Sequence, residues 1–208
     1  MKNNQNNQFK NKLKILKKTK NIVSKKGWYP DIMKDLIING VDKSELVLFF
    51  QNDYKKLLQF CLNELNKSHE TKIKKIKLIN FKIFKRIKKI LLERLKIINA
   101  DKIFYKKTFN HLLLPQNSKI MKKNLYKSVD NMWYLAGDNS TDFNFYTKRF
   151  FLFIIYTNSL IVLFNKGIEQ SETSVEQNLK RIAKIPKLKE RFSFIRENLP
   201  VFLKSIIN

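Results

Sequence analysis

Ile73, Ile76, Ile79, Ile83, Ile87, Leu91, Leu95 and Ile98 follow one another at steps of three or four residues. A helix that turns about 100° per residue places such positions on one face. Lys72, Lys74, Lys75, Lys77, Lys82, Lys85, Arg86, Lys88 and Lys89 fill the other faces. The stretch predicts an amphipathic helix over about 70–99. Comparable spacing recurs along the chain between sparse breakers: Gly27, Pro30, Gly40, Pro115, Gly137, Gly167, Pro186 and Pro200. Helices are expected at about 9–26, 29–39, 42–50, 53–68, 70–99, 101–114, 118–136, 140–165, 172–184 and 187–207. Hairpin signals and internal repeats are absent, so the fold class is all-α. The expected organisation is a disordered tail (1–8), a helix-turn-helix-like segment (9–68), a helical core (69–186) and an amphipathic C-terminal helix (187–208).

The first helices have helix-turn-helix proportions: one ending at Gly27, a short one to Ile38, a turn at Asn39-Gly40, then a short helix from Asp42. The reading helix would be "DKSELVLFF". Asp42, Glu45 and apolar side chains stand where base and phosphate contacts need Arg, Asn, Gln or Lys, and only Lys43 and Ser44 fit. Nucleic acid is therefore disfavoured as a partner, although the shape is retained. Further on, Phe150 to Phe164 form an apolar run of 15 residues. That is short of the ~20 that span a bilayer, and Thr157, Asn158 and Ser159 interrupt it. Being apolar nearly all round, it predicts a helix buried on every side. Such a helix packs solid or walls a pocket, and spacing does not distinguish the two.

Composition changes this picture in one respect. The net charge is +26, with 43 basic residues. Such a charge suits an anionic partner, a phospholipid surface or nucleic acid. Yet only six of the basic residues are Arg, and Lys, Asn, Ile and Phe all have A/T-rich codons. Codon bias accounts for much of the charge. One cysteine, Cys61, excludes an internal disulfide and suits a reducing compartment. Two histidines cannot, with one cysteine, form a His/Cys metal cluster. No glycine-rich phosphate loop occurs. No catalytic residue, metal or cofactor is expected. The first residues lack the apolar core of a signal peptide and the arginines of a transit peptide. The expected location is a bacterial cytoplasm, peripheral on the inner membrane.

Between Lys127 and Lys148 no basic residue occurs, and three carboxylates do: Asp130, Asp138 and Asp142. The segment "AGDNSTDFNFYTKR" reads as a helix corner: Gly137 stops one helix, and Asp138, Ser140 or Thr141 caps the next. Asp142, Phe145, Tyr146 and Arg149 then share one helix face, with Met132 and Trp133 beside the corner. Trp, Tyr, Met and Arg grouped with a carboxylate suit an interface hot spot and equally suit a core. Asp138 and Asp142 are four apart, but capping explains both better than acid/base chemistry.

"DNMWYLAGDNSTDFNFYTKRFFLFIIYTNSLIVLF" resembles the signature of the coenzyme Q biosynthesis accessory lipid-binding family. The likeness runs through Asp130, Trp133, Ala136-Gly137-Asp138, Ser140-Thr141-Asp142, Asn144, Phe145-Tyr146-Thr147, Lys148-Arg149 and Tyr156. Phe145 stands where the family has Trp, and Asn165 where it has Asp. The resemblance implies a TetR-like, all-α homodimer that is not an enzyme. It implies an apolar cavity for isoprenoid quinone intermediates and phospholipid, presented to the di-iron hydroxylase of ubiquinone synthesis. Arg149, Phe153 and Tyr156 become the candidate lipid contacts, with Arg149 on a headgroup. Met132, Asp142, Phe145 and Tyr146 become the candidate docking patch. At the C-terminus, Phe192, Ile195 and Phe202 lie in an amphipathic pattern among lysines and arginines that suits an anionic bilayer surface and equally suits a terminal helix packed on its own domain or on a dimer partner. The alternative is a TetR-type DNA-binding regulator with a lipid effector.

Overall fold

A computed structural model describes residues 2–140 and 142–183, and only the backbone of residues 2–5, 142–144 and 183. Among these residues the chain is all-α, with nine α-helices and a short 3₁₀ turn. It divides into two compact units, residues 1–65 with 101–117 and residues 66–100 with 118–208.

The first unit holds α1 (Lys2–Lys26), α2 (Ile32–Ile38), α3 (Lys43–Phe50), the first part of α4 (Tyr54–Lys74), α6 (Lys102–Leu112) and the 3₁₀ turn Pro115–Asn117. α1 begins at Lys2, so residues 2–8 are helical rather than a disordered tail. No Gly or Pro interrupts them, and their backbone extends a helix seeded by the buried Ile15, Leu16, Ile22 and Val23. α1 packs against α2 and α6. The Trp28 indole N–H donates to Thr108 Oγ1 of α6 at 2.9 Å. This contact joins α6 to the first unit, whereas the sequence reading placed 101–114 with the helical core. On α3, Asp42 caps the helix by accepting from the Ser44 N–H at 2.8 Å. The exposed side of α3 presents Val47 and Leu48, which offer no donors to a base edge.

The second unit holds the rest of α4, α5 (Ile83–Ala100), α7 (Ser118–Leu135), α8 (Asp142–Lys166) and α9 (Ile168–Ala183). α8 packs against α9, α7 and α5, and α5 also meets α7 and α9. As the spacing predicts, Ile87, Leu91, Leu95 and Ile98 are buried on one face of α5. The helix expected over 70–99 is broken, however, between Lys74 and Ile83. Arg86 holds the break: Nε donates to Phe81 O at 2.7 Å, Nη2 to Ile79 O at 3.0 Å and Nη1 to Ala136 O at 3.0 Å. Gly167, at φ +102°, is the single residue between α8 and α9, so α9 begins four residues earlier than the spacing suggests. The Ser171 hydroxyl then donates to Ser159 O at 2.7 Å and pins α9 to α8.

α8 is long and apolar enough to cross a membrane by length and composition, yet three helices pack on it. It is not buried on every side: Ile154 and Ile161 are each 46% exposed on the strip those neighbours leave open.

His69, on α4, is fully buried, and its Nε2 donates to Ile90 O at 2.9 Å. Burial, aided by the positive charge of Arg94, pushes its pKa down to about 3. The folded state therefore keeps this imidazole neutral, while the unfolded chain takes a proton below about pH 6.5. Stability falls as pH drops through that window. His69→Gln can keep the donor but cannot titrate. Between pH 7 and pH 5 it should lose about 2 kcal/mol less stability than the parent in urea titrations. An unchanged pH slope would show that His69 takes up its proton as readily in the folded state as in the unfolded one.

Candidate functional site

The corner between α7 and α8 is set by Gly137 at φ +78°. Its N–H donates to Tyr134 O at 2.9 Å, and the Asp138 N–H donates to Trp133 O at 3.1 Å. A Cβ at Gly137 would strain the left-handed backbone and lie 3.1 Å from Arg86 Nη1. Asp138, just past this turn, gathers the charges of the corner. Its carboxylate accepts from Ser140 Oγ at 2.7 Å, Lys148 Nζ at 2.6 Å and Arg149 Nη1 at 3.4 Å. Arg149 Nε donates to Asp130 Oδ1 at 2.7 Å. Its guanidinium carbon lies 3.3 Å from the centroid of the Phe145 ring, one turn earlier. Burial alone would raise the Asp138 pKa, but the bonds from Lys148 and Ser140 outweigh it and hold the group below the usual carboxylate range. Asp138 is thus an ionised structural hub and a poor proton shuttle.

Lys148 and Trp133 belong to two constructions at once. Trp133 Nε1 donates to Lys148 O at 3.1 Å, and Lys148 Nζ sits 5.5 Å from the indole ring centre. Both residues also line a partly open cavity of about 130 Å³. Ile83, Phe84 and Ile87 of α5 form one wall. Phe151 and Ile155 of α8 and Leu179 of α9 form another. The lining is apolar apart from Thr147, Lys148 and the indole N–H. A dry cavity of about this size, lined by Leu, Ile and Phe, accommodates an aromatic ring or a few carbons of an aliphatic chain.

The structure distributes the candidate residues differently from the sequence reading. Arg149 is only 5% exposed, is paired with two carboxylates and does not line this cavity. Its neighbour Lys148, about 100° round the helix, does. Phe153 is half-buried and points elsewhere than this cavity. Tyr156 is buried in a polar cluster: its hydroxyl accepts from Arg94 Nε at 2.8 Å. Met132 is fully buried and presents nothing to a partner, because it lies on the inward side of α7. Phe145 is half-buried under Arg149, and Tyr146 is exposed. Asp142 opens α8. Phe192, Ile195 and Phe202 lie outside the described residues.

Sequence reasoning gave Arg94 no role beyond a faint likeness to the family at Arg94-Leu95. It sits at 2% exposure in the apolar face of α5, where the spacing calls for a hydrophobe. Nη2 donates to Ser128 Oγ at 2.9 Å, and Ser128 in turn donates to Asn66 Oδ1 at 3.0 Å. Its signal in the spacing is a polar residue between Leu91 and Leu95. The contributions of α9 to the cavity were equally silent, since Leu179 and Ile182 read as an ordinary amphipathic face.

Breaking a buried ion pair from one side strands the other charge. Asp138→Asn should therefore cost about 3 kcal/mol at neutral pH, measured by urea unfolding. Ser140→Ala should cost under about 1 kcal/mol. Because Asp138 titrates below its unfolded value, its contribution is complete above about pH 4 and is lost as pH falls through the lowered value. The parent and Asp138→Asn should converge in acid. A difference that persists there would separate the effect from ionisation.

Residues 119–189, which include the corner and all of α8, match the COQ9 family model. The chain is similar to a Dictyostelium discoideum protein described as "Probable ubiquinone biosynthesis protein coq9, mitochondrial", with 27% identity over 177 residues, 78% of this chain and 55% of that protein. It is also similar to the rat and human proteins described as "Ubiquinone biosynthesis protein COQ9, mitochondrial". Identity is 34% and 32% respectively over 125 residues, 60% of this chain and 38% of each relative. The chain thus spans about half or less of the length of these relatives. They are eukaryotic and named mitochondrial, which overturns the expectation of a bacterial cytoplasm. That expectation leaned on a composition rich in Lys, Asn and Ile, which A/T-rich codons produce in any genome. The corner motif, the matched segment and these relatives agree on what this chain is similar to, the COQ9 family.

Proposed function

We propose that this chain is a non-catalytic accessory protein of ubiquinone synthesis, working in the mitochondrion. It holds part of an isoprenoid or acyl lipid in the cavity beside α8 and presents it to a di-iron hydroxylase. The reading is carried by one observation: an apolar, partly open cavity is lined by α8 and α9 of the segment that matches the family and by Ile83, Phe84 and Ile87 of α5, with one cation, Lys148, at its lining. A lipid tail would displace water from Ile87, Phe151, Ile155 and Leu179. Lys148, half-exposed and 2.6 Å from Asp138, is the cation placed to meet a polar or anionic head. Arg149 then acts indirectly, by holding the corner. The corner is also a reason to read the protein as an accessory. Asp138, its most enclosed carboxylate, is committed to Lys148, Arg149 and Ser140.

Docking of the hydroxylase falls to the exposed part of the corner, Tyr146 with Tyr134, and Met132 contributes from beneath as packing. The uncovered strip of α8, with Ile154 and Ile161, suits a second copy of the chain. That would complete the TetR-like homodimer the family resemblance implies.

Native mass spectrometry of the purified protein tests the reading. Phospholipid or quinone should co-purify with the parent. Ile155→Phe, which grows into the cavity, should remove it while leaving the melting temperature within a few degrees. Retention of the same lipid in the filled variant would place it elsewhere. For docking, Tyr146→Lys should weaken capture of the hydroxylase at least about tenfold with stability changed by less than about 0.5 kcal/mol. A collapse in melting temperature instead would put Tyr146 among the packing residues.

A further inference from the structure

The turn between α4 and α5, residues 75–82, carries a feature the cavity does not explain. Ile79 is 81% exposed, Phe84 46% and Phe81 36%. One exposed hydrophobe is ordinary. Three within six residues, on a turn whose backbone is fixed, form a patch with a purpose. The turn is fixed because Arg86 donates to the carbonyls of Ile79 and Phe81 and, through Nη1, to Ala136 O at the corner. The Phe81 N–H also closes on Leu78 O at 3.0 Å. Turning these side chains inward would require breaking that set of bonds.

The charge around the patch is of one sign. No Asp or Glu occurs between Glu70 and Glu93. Lys72, Lys74 and Lys88 are paired with Glu93, Glu70 and Glu176, and Lys89 lies over the Phe81 ring at 5.4 Å. Lys75, Lys77, Lys82 and Lys85 are exposed and have no carboxylate partner among the described residues. Apolar side chains projecting from a ring of unpaired lysines complement an anionic bilayer: the hydrophobes enter the headgroup boundary while the ammonium groups meet phosphate. A nucleic acid would use the lysines but leave Ile79 without a role.

We propose that residues 75–85 form a membrane-inserting loop that seats the second unit on an anionic lipid surface. Its position joins it to the cavity. Phe84 is at once exposed and part of the cavity lining, next to Ile83 and Ile87. The loop therefore brings the cavity's open side to the bilayer, and a tail can pass between them without crossing bulk water. This last step rests on the lipid-carrier reading; insertion of the loop does not.

Cys61 is buried, so a cysteine placed by Ile79→Cys can be labelled selectively with an environment-sensitive fluorophore on the full chain. Vesicles of phosphatidylcholine containing phosphatidylserine should shift its emission to the blue, and phosphatidylcholine alone should do so weakly. In co-sedimentation, the Ile79→Asp, Phe81→Asp double variant should bind the anionic vesicles at least about tenfold less. Changing Lys75, Lys77, Lys82 and Lys85 to Gln should abolish most of the salt-sensitive binding. Both variants should keep the parent's melting temperature and co-purified lipid. An unshifted label, or a double variant that binds like the parent, overturns the loop and leaves the cavity reading standing. Preference of the parent for duplex DNA over vesicles also overturns it. Loop-dependent binding by a protein that carries no lipid supports the loop and removes the carrier.

Discussion

An arginine in an apolar helix is tolerable only where its charge is met, and Arg149 is met twice, by Asp138 at 3.4 Å and Asp130 at 2.7 Å. The α7–α8 corner is arranged around that requirement. Gly137 turns the chain so that Asp138 faces back towards α8, and Phe145 supplies a ring beneath the guanidinium. The lack of basic residues between Lys127 and Lys148 follows from the same electrostatics. In a chain with 43 cations, any lysine near the corner would compete for the two carboxylates that Arg149 and Lys148 need. What set this stretch apart from its surroundings is the protection of an ion-pair network. The consequence reaches the cavity, because fixing Arg149 fixes Lys148 and, through Lys148, the edge of Trp133.

Arg94 solves the same problem differently. It is as buried as Arg149, but the side chains it bonds among the described residues are neutral: the Tyr156 hydroxyl and the Ser128 hydroxyl. Its charge is spread into a chain of hydroxyl and amide dipoles that ends at Asn66. The uncompensated positive field is felt by His69, whose protonation it opposes. Tyr156 therefore has a structural duty at Arg94. The motif tyrosine is explained by what it anchors inside the unit, since it does not line the cavity.

Periodicity made most of this architecture legible. The buried face of α5, the corner at Gly137 and the shared face of Phe145 and Arg149 all follow from residue spacing, because each depends on contacts within one or two turns. What the spacing could not reveal depends on partners distant in the chain. The break before Ile83 has no Gly or Pro. It exists because Arg86 finds the Ala136 carbonyl, 50 positions away. α6 joins the first unit through Thr108 and Trp28, 80 positions apart. The choice between Lys148 and Arg149 at the cavity turned on a single 100° step. The resemblance named Arg149, but only the positions of Asp130 and Asp138 show that its charge is met on both sides, while Lys148 pairs with Asp138 alone among the described residues.

The modest size of the cavity bears on what a carrier could do. A cavity of about 130 Å³ is close in size to one that holds a single aromatic ring, so it takes about five carbons of a chain. Burying them contributes about 4 kcal/mol at ~0.8 kcal/mol each, which corresponds to a dissociation constant near 1 mM. Such a site cannot store a long isoprenoid against water, because most of the tail would remain uncovered. It can hold one end of a tail whose remainder stays in a bilayer or enters a docked enzyme. Weak, partial burial lowers the cost of leaving either neighbour without trapping the lipid between them. On the proposed reading, then, the cavity's function depends on what lies against its open side, and the rim formed by Phe84 is where that contact is made.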